Sequence, residues 1–294
     1  MSIIKQVVKT FHADPFTLTD AYEKIEGPEP SIRGRIYEAV DRGILKRIAR
    51  GVYQNKDGLL ISGDGRDLSF LTDESMGGII TDHPYDMQAS NKGGNRNFAT
   101  YGCFRYEQRD FDEKARVLKK GHFLVEFLPE ENADNYEYLY QIKQMAKNAG
   151  FEYYASVPWE KKGFVSNCGR KSKNTETVMI FSKGKARSLR LDAKKVKANG
   201  GLAYMSGANG MLPTVFAVSK PKQMIHQAEK PVELLEMIIK YVTMPEDVVL
   251  DQFSGSGSTG EACMNTNRSF ILIELLQEAV LKIQNRLKME AIRL

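Results

Sequence analysis

The chain has 294 residues, 42% of them hydrophobic and 27% charged, with a net charge of +5; this suits about two domains with a sizeable core and argues against wholesale disorder. No apolar run approaches the roughly 20 residues of a membrane span, and the opening MSIIKQVVKTFHADPF lacks the pattern of a signal peptide, so a soluble, cytoplasmic protein is expected. Cys103, Cys168 and Cys263, like His12, His83, His122 and His226, are scattered, which excludes a disulfide framework and offers no metal pair.

Residues 1–55 read as a small module. Ile3 to Phe11 has an amphipathic helical pattern, Thr17 to Ile25 has a second with Thr17 or Thr19 as its cap, and Gly27-Pro28-Glu29-Pro30 breaks the chain. Ser31 is placed to cap a third helix over about Ile32 to Arg42, stopped by Gly43. Ile44 to Tyr53 reads as a hairpin around Arg50-Gly51. Three helices and a basic hairpin resemble a winged helix-turn-helix. Arg33 and Arg35 on the third helix are then the candidate DNA contacts; the plain alternative is a helical packing unit without nucleic acid.

From residue 58 the pattern becomes α/β. Leu59-Leu60-Ile61 is a short strand ending at Gly63-Asp64-Gly65, and Gly78-Ile79-Ile80-Thr81 another, ending at Asp82-His83-Pro84-Tyr85. Helices are predicted over Asp112 to Leu118 and Asn135 to Asn148, and strands over His122 to Phe127, Tyr153 to Val157 and Val178 to Phe181. The last lies in a basic stretch: between Lys161 and Lys197 twelve Lys and Arg face two acids, Glu176 and Asp192. That segment carries +10 and the remainder −5, an excess that suits either a polyanion partner or a solvated loop. Residues 184–222 read as loop or a small insertion. Beyond them come a helix from Pro231 to Val242, a strand from Val248 to Leu250, a helix from Thr259 to Asn265, a strand from Phe270 to Ile273 and a helix from Leu276 to Leu287. Such alternation implies a parallel sheet covered on both faces.

The segment Val248 to Gly260 is a strand, a glycine-rich turn and a helix, with Gly255, Gly257 and Gly260 in GxGxxG spacing and Glu274 at the end of the next strand. Such glycines let a backbone turn tightly against a nucleotide-like ligand, and the acid is placed for ribose hydroxyls. No Lys follows the glycines, which excludes a Walker phosphate loop. Both a dinucleotide and S-adenosylmethionine fit. Only 34 residues follow Gly260, too few for the rest of a doubly wound sheet, so the remaining strands must come from upstream and the order is permuted.

Three motifs now carry a resemblance. Asp82-His83-Pro84-Tyr85 resembles the Asp-Pro-Pro-Tyr motif of DNA amino-methyltransferases, Phe253-Ser254-Gly255-Ser256-Gly257 their Phe-x-Gly-x-Gly cofactor motif, and His226 to Pro231 the Lys-Pro segment before it. The order, catalytic motif first, is that of the β class of S-adenosylmethionine-dependent DNA amino-methyltransferases, and the similarity covers about residues 58–290. The resemblance implies a circularly permuted Rossmann-like α/β fold over residues 56–294, with a target-recognition segment at about 86–222 and the winged-helix-like module over 1–55. It implies S-adenosylmethionine as cofactor, double-stranded DNA as partner, no metal, a homodimer as the frequent assembly, and a prokaryotic cell or phage-infected host as the setting.

The chemistry accounts for these residue types. An exocyclic amino nitrogen is a weak nucleophile because its lone pair is delocalised into the ring, and acceptors that grip its hydrogens free that pair. The resemblance makes the Asp82 carboxylate one acceptor and the His83 carbonyl the other, with Pro84 completing the turn and Tyr85 stacked on a flipped base. His83 replaces the usual Pro, which keeps the carbonyl but gives up the fixed φ. By the same carry-over Asp251, Phe253, Gly255 and Gly257 line the methionine and ribose side, Glu274 takes the ribose hydroxyls, Lys230 lies near the methionine carboxylate and Asp64 faces the adenine amino group. Asp at the first motif position points to adenine N6, since cytosine-N4 enzymes more often carry Ser there. Lys92, Arg96, Arg170, Lys171 and Lys173 are the candidate DNA contacts between the motifs. An N4-cytosine enzyme and an inactive DNA-binding regulator of this fold stand as alternatives.

Overall fold

The computed structural model describes residues 3–11, 16–41, 45–55, 58–85, 103–161, 175–187, 194–204, 212–220, 229–245 and 247–293. The N-terminal unit comprises α1 (Ile3–Phe11), β1 (Phe16–Thr17), α2 (Leu18–Lys24), α3 (Glu29–Asp41), β2 (Leu45–Ala49) and β3 (Val52–Asn55). Thr17 and Asp20 cap α2 reciprocally: the Thr17 hydroxyl accepts the Asp20 N–H at 3.2 Å and the Asp20 carboxylate accepts the Thr17 N–H at 2.7 Å. Helix α3 starts at Glu29, two residues before the predicted cap Ser31, because Pro30 falls in the first turn, where a missing N–H breaks no helical bond. Ile32, Ile36 and Ala39 form its buried stripe, and Arg33 and Arg35 are exposed. The β2–β3 hairpin is joined by β1 in a sheet ordered β1-β3-β2.

The larger unit follows as β4 (Gly58–Ser62), β5 (Met76–Thr81), α4 (Gln108–Val117), β6 (Leu118–Pro129), α5 (Tyr136–Asn148), β7 (Phe151–Glu160), β8 (Thr175–Lys183), β9 (Lys194–Val196), β10 (Leu202–Tyr204), β11 (Phe216–Ala217), α6 (Val232–Val242), β12 (Val248–Asp251), α7 (Ser258–Asn265), β13 (Ser269–Glu274), α8 (Gln277–Leu287) and β14 (Ala291–Arg293). Nine strands form one sheet in the order β11-β7-β8-β6-β5-β12-β13-β4-β14. The late strands β12 and β13 lie between the early strands β5 and β4, which is the permuted order expected. The sheet is mixed rather than wholly parallel: β8 runs antiparallel to both β6 and β7. The described residues between 184 and 222 are more structured than predicted, holding the β9–β10 hairpin and β11, which pairs with β7.

Alternation along the central strands sorts side chains to the two faces. Val248 and Leu250 of β12 join a cluster containing Phe111 and Ala115 of α4 and Leu139 and Ile142 of α5. Val249 joins another, with Leu234 and Ile238 of α6, Ala262 of α7 and Val280 and Ile283 of α8. Each fully buried aliphatic side chain contributes about 1.5–3 kcal/mol, so these two layers clamp the central strands and fix where their carboxyl ends point. The apolar residues of the N-terminal unit are continuous with the first cluster.

Candidate active site

Four strands that begin at different points of the chain (β4, β5, β12 and β13) end on one edge of the sheet, where open α/β sheets bind ligands. A cavity of about 600 Å³ opens there, and Asp64, Asp82, Lys230, Phe253, Gly255 and Glu274 all line it.

The floor is the turn between β12 and α7. Gly255 and Gly257 have φ of +50° and +78°, conformations open to glycine and costly for other residues. A Cβ on Gly257 would also stand 2.9 Å from Ile283 of α8. Glu274, ending β13, accepts the Gly255 N–H and the Leu276 N–H, each at 2.8 Å, so its carboxylate fixes the turn and borders the cavity. Asp251 braces the turn from inside, accepting the Thr259 hydroxyl at 2.6 Å and the Phe253 N–H at 3.2 Å; burial pushes its pKa up to about 7. Gln252 donates its side-chain amide to the Gly65 carbonyl at 2.7 Å, tying this turn to the loop after β4. In that loop Asp64 is exposed and accepts the Arg66 N–H at 2.9 Å.

Asp82 leaves the end of β5 and faces the same cavity. One oxygen accepts the Tyr85 hydroxyl at 3.1 Å and the other the Lys230 ammonium. Lys230 also lies 3.3 Å from Glu176 of β8, whose other oxygen bonds Lys161. Burial raises the Asp82 pKa, with Lys230 opposing and Glu176 adding to the rise. Burial alone would lower Lys230, yet Asp82 and Glu176 together hold it above the ordinary lysine range. Burial likewise opposes ionisation of Glu176, which Lys230 and Lys161 overcome, leaving its pKa low. Burial raises the Tyr85 pKa well above its ordinary value, so the phenol stays protonated.

His83 turns into the protein. It is 1% exposed, its ring lies 3.9 Å from that of Tyr106, and its Nε2 is 2.9 Å from the Tyr138 hydroxyl on α5. The same hydroxyl accepts the Tyr106 N–H at 3.0 Å. Beneath lies a fully buried ion pair, Lys114 of α4 with Glu126 of β6 at 2.5 Å, to which Tyr106 adds a hydroxyl bond of 3.3 Å. Burial first and the Lys114 charge second push the His83 pKa well below its usual value, so the ring is neutral near pH 7. The next carbonyl, that of Pro84, accepts the Phe104 N–H at 3.1 Å. The fixed φ that His lacks is thus replaced by a side chain anchored to α5 and packed on Tyr106.

The sequence-predicted residues divide into three groups. Asp64, Asp82, Tyr85, Lys230, Asp251, Phe253, Gly255, Gly257 and Glu274 gather at or directly beneath the cavity, with Pro84 beside them. Arg33 and Arg35 are exposed on α3, Arg35 bonding Glu38 at 2.5 Å. Lys92, Arg96, Arg170, Lys171 and Lys173 lie outside the described residues, as does His226. The basic stretch is partly spent inside the fold: Lys161 pairs with Glu176, Lys183 with Glu74 and Arg187 with Asp247. Sequence reasoning missed Glu176 as a site residue, although an acid inside a basic run was the available signal. It also missed Arg66, whose guanidinium lies 4.8 Å over the Phe104 ring and is forked to Asp110 by two 2.8 Å bonds. Trp159 is in the core, its indole N–H donating to the Val218 carbonyl at 2.9 Å. Among the described residues no cluster of His, Cys, Asp and Glu could hold a metal, and no helix is long and apolar enough to cross a membrane.

Residues 77–285, which contain both the Asp82 motif and the glycine turn, match the N6/N4 DNA methylase family, and the chain belongs to that family. Among curated relatives, the type II methyltransferase M2.DpnII of Streptococcus pneumoniae is 27% identical over 252 residues, covering 81% of this chain and 92% of the relative. Among solved structures, the complex of M1.HpyAVI with SAM superposes with a TM-score of 0.56 at 23% identity, over 79% of this chain and 100% of that one. The cytosine-N4-specific PvuII DNA methyltransferase has a TM-score of 0.56 at 19% identity, over 79% of this chain and 86% of that one. These two likenesses are likenesses of fold.

Proposed function

We propose that this DNA methylase transfers the methyl group of S-adenosylmethionine to the N6 amino group of adenine in duplex DNA, acting on a base turned out of the helix. The observation that carries this reading is that Asp82 and the Glu274-bordered glycine turn open into one cavity.

The donor set suits this cofactor. The positive-φ turn keeps side chains away from it, Glu274 suits ribose hydroxyls, Asp64 suits an exocyclic amine, and Phe253 offers a ring. Thr81 Oγ1 and Gln252 Oε1, buried beside the cavity, have no hydrogen-bond partner among the described residues, as expected where a polar ligand or water completes them. Lys230 lies within the same wall, toward the place of the methionine carboxylate, with its ammonium bonded to Asp82 and near Glu176. When bound, S-adenosylmethionine supplies a methyl group made electrophilic by its sulfonium. The chain's own residues do the rest. Asp82 and the His83 carbonyl accept the two amino hydrogens, which frees the nitrogen lone pair. The Tyr85 ring stacks on the base while its hydroxyl steadies Asp82. Formation of the nitrogen–carbon bond would break the carbon–sulfur bond, with a neutral thioether as leaving group, and the nitrogen would give up one proton, which Asp82 Oδ is the basic atom placed to take. Positioning of this kind supplies most of the rate, as in other reactions that join two bound partners.

Residues 1–55 serve as a winged-helix-like DNA-contacting module with Arg33 and Arg35 toward the phosphates. Residues 56–294 are the methyltransferase domain, with target recognition over about 86–222 and Lys92, Arg96, Arg170, Lys171 and Lys173 as DNA contacts. The setting is the cytoplasm of a prokaryotic cell or phage-infected host, with a homodimer as the assembly. Transfer of label from S-adenosylmethionine to unmethylated duplex DNA, followed by digestion to nucleosides, tests the target base. N6-methyladenine is expected; N4-methylcytosine would move the enzyme to the cytosine branch.

A further inference from the structure

Asp82, Glu176, Lys220 and Lys230 line the cavity, and Lys161 bonds Glu176. They are not two separate pairs with a bystander: Lys220 faces the charges of Glu176, Lys230 and Lys161 together. Lys161 bonds one oxygen of Glu176, while the other, Oε2, takes no hydrogen bond among the described residues and lies 3.3 Å from the ammonium that Lys230 gives to Asp82. Lys230 is 10% exposed in its side chain and Glu176 21%, so water screens this exchange weakly. The arrangement matters because Asp82 has a task that full neutralisation by Lys230 would impair. An ammonium bonded to one acceptor alone draws charge from that carboxylate and weakens it as an acceptor of amino hydrogens.

We propose that Glu176 is a positioning residue for methyl transfer: by sharing the Lys230 ammonium it keeps the Asp82 carboxylate a strong acceptor for the target amino group. The inference rests on the reading of Asp82 as that acceptor. Burial raises the Asp82 pKa, and the Glu176 charge adds to the rise. Among the described residues, Asp82 is faced by Tyr85 on its own loop, Lys230 before α6, Glu176 on β8, Glu126 on β6 and Asp251 at the end of β12. Of the three acids, only Glu176 also contacts the ammonium that Asp82 holds. No motif assigns Glu176 this part.

The test uses the free full-length protein and the working enzyme together. Carboxyl-carbon NMR follows the Asp82 titration midpoint without cofactor or DNA, and single-turnover transfer to duplex DNA gives the rate. Glu176→Gln lowers the Asp82 midpoint by about one pH unit and the transfer rate by about tenfold, with KM for DNA unchanged within about twofold; Glu176→Asp restores part of both. Lys161→Met, which releases the other Glu176 oxygen, moves the midpoint upward. A rate loss in Glu176→Gln at an unchanged midpoint would mean a merely structural role and would overturn the proposal, as would an unchanged rate. Should Asp82→Ala retain full activity, the acceptor reading fails instead, while the coupling seen by NMR stands.

Discussion

His83 occupies a place where ring geometry would ordinarily stiffen the loop, and here its stiffness comes from contacts with Tyr106 and Tyr138. His83→Ala should lower the transfer rate by about ten- to a hundredfold through misplacement of the neighbouring carbonyl and Asp82, with cofactor affinity retained. Tyr138→Phe should cost less once His83→Pro has supplied the fixed φ than it does in the native chain; equal costs in the two backgrounds would show that the two side chains act independently. Because burial keeps His83 neutral, the rate profile should carry no limb near pH 6.5 that disappears in His83→Asn. Asp251 makes a separate prediction about stability. Its folded pKa of about 7 lies above its unfolded value of 3.8, so its contribution is fully present below pH 3.8 and is lost as pH rises through 7. Thermal melts of the free protein should therefore show Asp251→Asn removing a decline in stability between about pH 4 and 7. At this scale the site was readable where it is local: Asp82 to Tyr85, Gly255, Gly257 and Glu274 are motif residues. Glu176 and the Lys230–Asp82 pair were not, since that pair joins residues 148 positions apart, a separation that no local pattern encodes.

Among the elements, a close joint lies between the loop after β4 and the turn after β12. A Cβ on Gly65 would stand 1.9 Å from the Gln252 carbonyl oxygen. That neighbour is backbone and cannot swing aside, so Gly65→Ala should cost about 3 kcal/mol of stability and weaken cofactor binding. Denaturant unfolding with calorimetric cofactor binding checks both, and a stable variant with native affinity would show that the two loops can separate freely. Helices and strands with buried faces were legible from their periods: α5 and α8 came within a residue or two of their predicted starts and ends. Elements whose identity depends on a distant partner were not. The β9–β10 hairpin, β11 and β14 are two or three residues each and exist through pairing, while the antiparallel direction of β8 is set by its neighbours. Helix α4 begins at Gln108, earlier than predicted, because its first turn is polar and held by reciprocal capping between Glu107 and Asp110.

For the whole molecule, the permuted order is the organising fact. It could be read from the order of the motifs, the Asp82 motif ahead of the glycine turn, and it appears as β12 and β13 inserted between β5 and β4. The charge excess between Lys161 and Lys197 was a weaker guide, since Lys161, Lys183 and Arg187 are engaged by Glu176, Glu74 and Asp247. The insertion of late strands among early ones brings the Asp82 loop and the Glu274-bordered turn to a single cavity, and the account stands on that union. The most direct measurement pairs calorimetric binding of S-adenosylmethionine with single-turnover methyl transfer in Asp82→Ala. Affinity within about threefold of the native protein is expected, with transfer slower by about a thousandfold or more. Transfer at the native rate would contradict it.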